Sequence, residues 1–383
     1  MSGVRDQEDG SDPGWDEPEY EVIGGVIDDH PSSTARKADS GRPRASGTYK
    51  MTAGEAWKNT RKSFTSWWFW LACALGIALA WGMAAALIVW GEANGWFETE
   101  VAGAVYLLMA AFLALAAAML GAAWGFRHTQ GSIPVLLLSG AMRGVALAAT
   151  GCGALLLVGL SFGGPMALAG AAVVVIVLEV ALFGLIGAGS RRCFAKTAPG
   201  AALAAVLVAF LCIGNVVVTL LLIPTTAGTA QVSVPVNVER DDSGRVIAYE
   251  CVGSLRPVEV AHTDRIAWLA TSNPVLLLGS VGGELAATDN PVGWMLSGLQ
   301  WAADGPSREV PCLGGISSAG LAPSIPVALT GLALQGLLAA LVLVAGRWQA
   351  ARRAEASSGP GSPAGAHTRK SRRLSRRPSS TPR

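Results

Sequence analysis

The 383-residue sequence predicts an all-α polytopic membrane protein with six transmembrane helices and a small α+β extracytoplasmic domain between the fifth and sixth. Three observations predict it. Hydrophobic residues make up 51% of the chain and charged residues only 15%, against roughly a quarter charged in soluble globular proteins. The apolar residues gather in runs of about 20 or more, the length that crosses ~30 Å of hydrocarbon at 1.5 Å per residue. Lys and Arg flank those runs on one side only.

The runs are residues 66–90, 101–126, 143–160, 165–187, 200–223 and 323–346. Each must be helical, because in hydrocarbon only a helix satisfies its own backbone. The third has an open start: residues 133–139 are also apolar and either extend it or form an interfacial helix. Orientation follows from the basic residues. Lys58, Arg61 and Lys62, then Arg127, then Arg191, Arg192 and Lys196, then Arg347, Arg352 and Arg353 mark one side, while loops 91–100 and 161–164 carry no Lys or Arg. Both termini are therefore expected in the cytoplasm of a plasma-membrane protein, with segment 224–322 outside. Residues 51–223 make the membrane domain of helices one to five, and 323–346 the sixth. Residues 1–50, acidic and then basic and Pro/Ser-rich, read as a disordered tail, as does the basic stretch 347–383. The basic tail suits either contact with anionic lipid or a topology-enforcing role. About sixty polar residues precede the first run, so that run itself is the expected insertion signal rather than a cleaved leader.

The outer segment shows its own structure. Val232, Val234, Val236 and Val238 alternate, Asp241–Gly244 reads as a turn, and Val246, Ala248 and Glu250 resume the alternation, a hairpin pattern. Trp294, Met295, Leu296, Leu299 and Trp301 follow the spacing of a short amphipathic helix. Between them stands "HTDRIAWLATSNPVLLLGSVGGE", where Trp268, the Asn273-Pro274 turn and a Leu run read as a shallow helix packed on the spans at or near the outer membrane surface, since Trp favours that interface. Of the six cysteines, only Cys251 and Cys312 fall in this segment. An oxidising compartment permits a bridge between them; the alternative is two free thiols.

No enzyme chemistry is legible. The chain has no Gly-Lys pair and hence no phosphate-cradling P-loop. His30, His128, His262 and His367 are scattered, with no metal-ligand spacing, so no metal, cofactor or nucleic-acid partner is expected. The polar residues inside the spans say more. Glu179 lies in the fourth run, about 12–14 Å from its basic end at 1.5 Å per residue. Asn215 lies in the fifth, Gln335 in the sixth and Arg143 at the edge of the third. A carboxylate in hydrocarbon costs a few kcal/mol at least, so Glu179 must face the bundle interior, be paired, or be protonated. These four mark either a substrate path or hydrogen bonds between helices, which average under about 1 kcal/mol.

The order of parts resembles the permease subunits of ABC-2 type exporters: one span, a short outer loop, and five further spans with a large outer segment before the last. "GFRHTQGSIPVLLLSGAMRG" stands where such permeases carry a cytoplasmic E-x-x-x-G-T segment, with Gly131-Ser132 at the Gly-Thr position and Arg143 at the later basic one. "GLIGAGSRRCFAKTAPGAALAAVLVAF" is similar to the family's basic loop between spans four and five. The aromatic-then-Asn-Pro stretch is similar to one that actinobacterial members carry before the last span. The resemblance covers roughly residues 51–353. It implies a second permease copy and a separate ATP-binding subunit, contacted through Arg127, His128, Arg191 and Arg192. The family's acidic residue in the inner segment is absent, because residues 125–128 include no carboxylate.

Overall fold

The computed structural model describes residues 45–95, 102–128, 131–162, 166–240, 246–285, 291–306, 310, 312–315 and 325–357. Most of both tails and the turn expected at 241–244 lie outside them. The path opens with helix α1 (Ala45–Phe64), so the chain is helical six residues before the end of the stretch read as a tail. It is not a span: Lys58, Arg61 and Lys62 are exposed, and small residues, Ala56 and Thr60, form its buried side.

Among the described residues six helices are long and apolar enough to cross a membrane, and the chain is a multi-pass membrane protein. They are α2 (Trp67–Ala93), α3 (Ala102–Arg127), α4 (Ile133–Phe162), α5 (Met166–Cys193), a composite fifth element, and α11 (Val327–Ser357). The third span starts at Ile133 rather than 143, so the apolar 133–139 segment extends it. The fifth is broken in register: α6 (Thr197–Ala209) passes into a π-turn (Phe210–Gly214), then α7 (Asn215–Leu222) and a closing 3-10 turn. The sixth continues through Ser357, beyond the expected end at 346.

Helix α5 is the hub, packing on α3, α4, α6 and α11. Glycine sets the spacing. A Cβ at Gly125 of α3 would overlap the Gly184 carbonyl of α5, and one at Gly187 would overlap the Ala122 carbonyl. Gly140 and Gly144 let α4 approach Ala181 and Val177 in the same way. Close backbone approach through small residues is how helices associate where water supplies no hydrophobic drive. The outer faces stay apolar and exposed, as with Leu75, Leu79 and Met83 on α2 and Leu337, Leu341 and Val344 on α11.

Beyond the fifth span, β1 (Ala227–Arg240) and β2 (Val246–Ala261) form an antiparallel hairpin, as the alternation predicted, although it starts earlier and runs longer. Val234 pairs with Val252 and both are exposed, so the valine face points away from the domain while Ser233 points inward. Cys251 of β2 is bonded to Cys312. The 312–315 segment adds to the other edge of β1: Gly314 N–H donates to the Gln231 carbonyl (2.7 Å) and Ser233 N–H to that of Cys312 (3.2 Å). Helices α8 (Asp264–Thr271), α9 (Pro274–Leu285) and α10 (Pro291–Asp304) follow. Helix α10 forms where the amphipathic spacing placed one. Gln300 on it ties into the last span, its Oε1 accepting from Val327 N–H (2.9 Å).

The α8–α9 pair packs on the spans, as expected, but departs from expectation in its depth. It is not a shallow helix at the surface. Asn273, at the corner, is 2% exposed, and Leu277 and Leu278 are buried. Helix α9 packs on α3, α5 and α11, and Gly331 of α11 comes so close to the α8 end that a Cβ would overlap the Thr271 carbonyl. The pair is a re-entrant helical hairpin, its tip pushed into the bundle. Irregular backbone at this depth is tolerated only where protein encloses it, and that is the case here.

Candidate functional site

The hairpin tip is built by two local rules. Proline at a first helical position loses nothing, because that N–H has no helical partner, so Pro274 opens α9. Asn273 caps it: Oδ1 accepts from Val275 N–H (2.9 Å) and Leu276 N–H (3.2 Å). That leaves the amide Nδ2 free to reach outward. It donates to the Cys212 carbonyl (2.7 Å) and, more weakly, to Asn215 Oδ1 (3.4 Å).

Cys212 can accept because the fifth span is irregular at this point. In an unbroken helix its carbonyl would bond the N–H of Val216. Here Val216 N–H is bonded to Asn215 Oδ1 (2.8 Å), and the π-turn shifts the ladder. Single π-turns of this kind mark functional segments in many helices.

The chain of polar contacts continues. Asn215 Nδ2 donates to Ser272 Oγ (3.2 Å), and the Ser272 carbonyl accepts from Gln335 Nε2 (3.0 Å). Gln335 Nε2 also donates to Glu179 Oε1 (2.9 Å). Glu179 and Gln335 are both 0% exposed. Among the described residues, Glu179 Oε2 and Gln335 Oε1 have no hydrogen-bond partner, and no Lys, Arg or His stands within ion-pair distance of Glu179. One buried polar junction therefore joins four separate pieces: mid-α5, α11, the π-turn with α7, and the hairpin tip.

Three of the four intramembrane residues singled out from sequence, Glu179, Asn215 and Gln335, meet here, and so does Asn273 from the outer-segment motif. Ser272 and the Cys212 carbonyl are the members sequence reasoning missed. Ser272 had a signal, standing next to Asn-Pro; the carbonyl had none. Trp268 is elsewhere, half-exposed on α8 with its indole N–H donating to the Arg265 carbonyl (2.8 Å).

Arg143 does not join the junction. It lies toward the basic end, 2% exposed, with Nε donating to Ser63 Oγ (3.2 Å) and Nη2 without a partner among the described residues. Its neighbours include Trp124 and His128. Burial holds the His128 imidazole below its usual value, and the Arg143 charge adds to that.

The four residues expected to touch an ATPase divide into two groups. Arg192 donates to the Gly131 carbonyl (3.0 Å), and its own carbonyl accepts from Arg353 Nη2. The α3–α4 connection, the end of α5 and the end of α11 are thus one hydrogen-bonded platform, with Arg191 bonded to the Phe194 carbonyl beside it. Arg127 and His128 instead line a groove against α1 and α2. Among the described residues no group of His, Cys, Asp or Glu could hold a metal. No family model, no curated protein and no solved structure matches the chain.

Proposed function

We propose that this chain is the membrane subunit of an ABC-2 type exporter, moving its substrate across the plasma membrane with energy from ATP hydrolysed by a separate partner. The observation that carries the reading is the polar junction. Intramembrane ionisable residues are costly and are functional by default, whereas a hydrogen bond between spans averages only ~0.6 kcal/mol. Glu179 with an unpartnered oxygen is a poor choice for a purely structural pin. It is a reasonable one for a parting line, where α5, α11 and the re-entrant hairpin separate and rejoin as the bundle changes state.

The basic platform supports the same reading. A push on the Gly131–Arg192 contact acts on α5, the helix that carries Glu179. The chain has no phosphate-binding loop, so the push must come from a partner, and the family resemblance supplies its class: an ATP-binding subunit, working on a pair of membrane subunits. In this reading the basic end is cytoplasmic and the sheet end outside. The disulfide lies at the sheet end, opposite the basic clusters, which fits an oxidising exterior.

Purification of the tagged full chain from its native membranes in mild detergent tests this. A P-loop ATPase should co-purify, and Arg191→Glu should reduce its recovery. If no P-loop protein accompanies the chain and the variant alters nothing, the alternative gains: a non-transporting envelope membrane protein whose exterior domain, with its exposed valine face, binds a ligand or a partner.

A further inference from the structure

We infer that the basic end of this protein holds one anionic phospholipid, its phosphate in a groove between α1, α2 and α3 and an acyl chain along the α2–α3 seam. The groove has a volume of about 620 Å³. Its cations are Lys62 at the end of α1 and Arg127 at the end of α3, both exposed. Ser63 and Ser66 add hydroxyls. The floor is aromatic, with Phe69 and Trp124 rings 4.9 Å apart.

Three features suit an anion at this spot. Ser66 is the residue before α2, yet its hydroxyl makes no capping bond; Phe69 N–H is taken by the Ser66 carbonyl (3.1 Å), which leaves the Ser66 hydroxyl and the N–H groups of Trp67 and Trp68 to a ligand. The N-terminus of a helix favours negative charge. Beneath the groove, on the far side of Trp124 and His128, lies Arg143, whose buried guanidinium has an unpartnered Nη2 and is hydrogen-bonded to groove-lining Ser63. No Asp or Glu of the described chain lines the groove. Arg143 does not line the groove; its link to it is Ser63, whose hydroxyl accepts from the Arg143 Nε and faces the space a phosphate would occupy.

A second cavity makes the ligand a lipid rather than a free anion. Ala72 lines both the cationic groove and an apolar groove of about 210 Å³ that runs between Leu75, Leu79 and Met83 of α2 and Phe112 and Met119 of α3. From Ala72 to Met83 is about 16 Å at 1.5 Å per residue, which is one leaflet of a ~30 Å hydrocarbon core. Trp68 at the groove and exposed Trp67 and Trp70 beside it place this level at the headgroups, where Trp concentrates. Headgroup, depth and chain length agree on one molecule. This site does not depend on the transport reading.

The test uses the full chain in detergent, delipidated and then offered phosphatidylglycerol, phosphatidylcholine or inorganic phosphate, with bound lipid counted by native mass spectrometry. Phosphatidylglycerol should be retained over phosphatidylcholine. Lys62→Ala and Arg127→Ala should each lower retention about five-fold, the equivalent of ~1 kcal/mol per basic group near an anionic surface. Arg352→Ala, which removes a cation at the same end but one stacked on Trp348, should change nothing. Ala72→Phe, at the junction of the two grooves, should also expel the lipid. Each single variant is compared at equal thermal stability, and the two exposed cation variants carry the test if Ala72→Phe fails to fold. Equal retention of both lipids, or unchanged retention in the cation variants, overturns the inference. So does protection by inorganic phosphate alone, which would make it a free-phosphate site. Loss of a co-purifying protein with lipid retention intact would make the groove a protein contact and overturn it equally.

Discussion

Glu179 and Asn273 are the residues on which the interior turns, and they fail in different ways when changed. Asn273 does two jobs, capping α9 through Oδ1 and donating to the Cys212 carbonyl through Nδ2. Asn273→Asp keeps the cap and loses the donor. Asn273→Ala loses both and should destabilise by about 2 kcal/mol, the upper end for an N-cap, as read by thermal unfolding in detergent. Glu179→Gln preserves shape and hydrogen-bonding reach, so unfolding should shift little, while the export activity proposed for the chain should fall. A variant that transports as well as the parent would make Glu179 a packing residue. His128 adds a pH signature. Its neutral form is favoured in the fold, so its contribution is complete above the ordinary histidine value of about 6.5 and is lost as pH falls through the lower folded value. Unfolding midpoints measured from pH 7 down to 5 should drop less in His128→Gln than in the parent; parallel curves would place the acid sensitivity elsewhere.

At the scale of elements, the spans, the β-hairpin and α10 were legible because hydrophobic length and alternation are local properties of the chain. The start of α4 was ambiguous because an apolar segment beside a span reads equally well as span or interface. Helix α1 gave little signal, since its buried side rests on residues as small as Ala56 and Thr60. The depth of the α8–α9 hairpin was not legible. A Trp, an Asn-Pro turn and a Leu run describe an interfacial helix as well as a re-entrant one. What draws the tip inward is a main-chain carbonyl at Cys212, which any residue could supply. Two changes probe these elements. Gly331→Leu should drive the Thr271 backbone away and expel the hairpin, lowering yield of folded protein, whereas Gly336→Leu, where a Cβ meets nothing within 4 Å, should be tolerated. Reducing the Cys251–Cys312 bond, which spans 61 positions, should cost the sheet-end domain about 4 kcal/mol in the chain-entropy picture and leave the helical bundle's circular dichroism unchanged.

For the whole molecule, the asymmetry between a basic end and a disulfide-bonded end fixes what a topology experiment should find. Reporter fusions at residue 244 should be active outside, and those after Arg353 inside; the reverse pattern would invert the proposed orientation. The larger claim is that the bundle parts at the junction under a partner's control. Ser272→Cys, in a chain whose free cysteines Cys73, Cys152, Cys193 and Cys212 are replaced by Ala and whose disulfide is kept, places a thiol at the meeting point of α5, α7, α11 and the hairpin. In membranes containing the proposed ATPase partner, maleimide labelling of that thiol should rise or fall several-fold between ATP-bound and nucleotide-free conditions. Labelling that stays the same in both, with the ATPase present and turning over, would contradict the account.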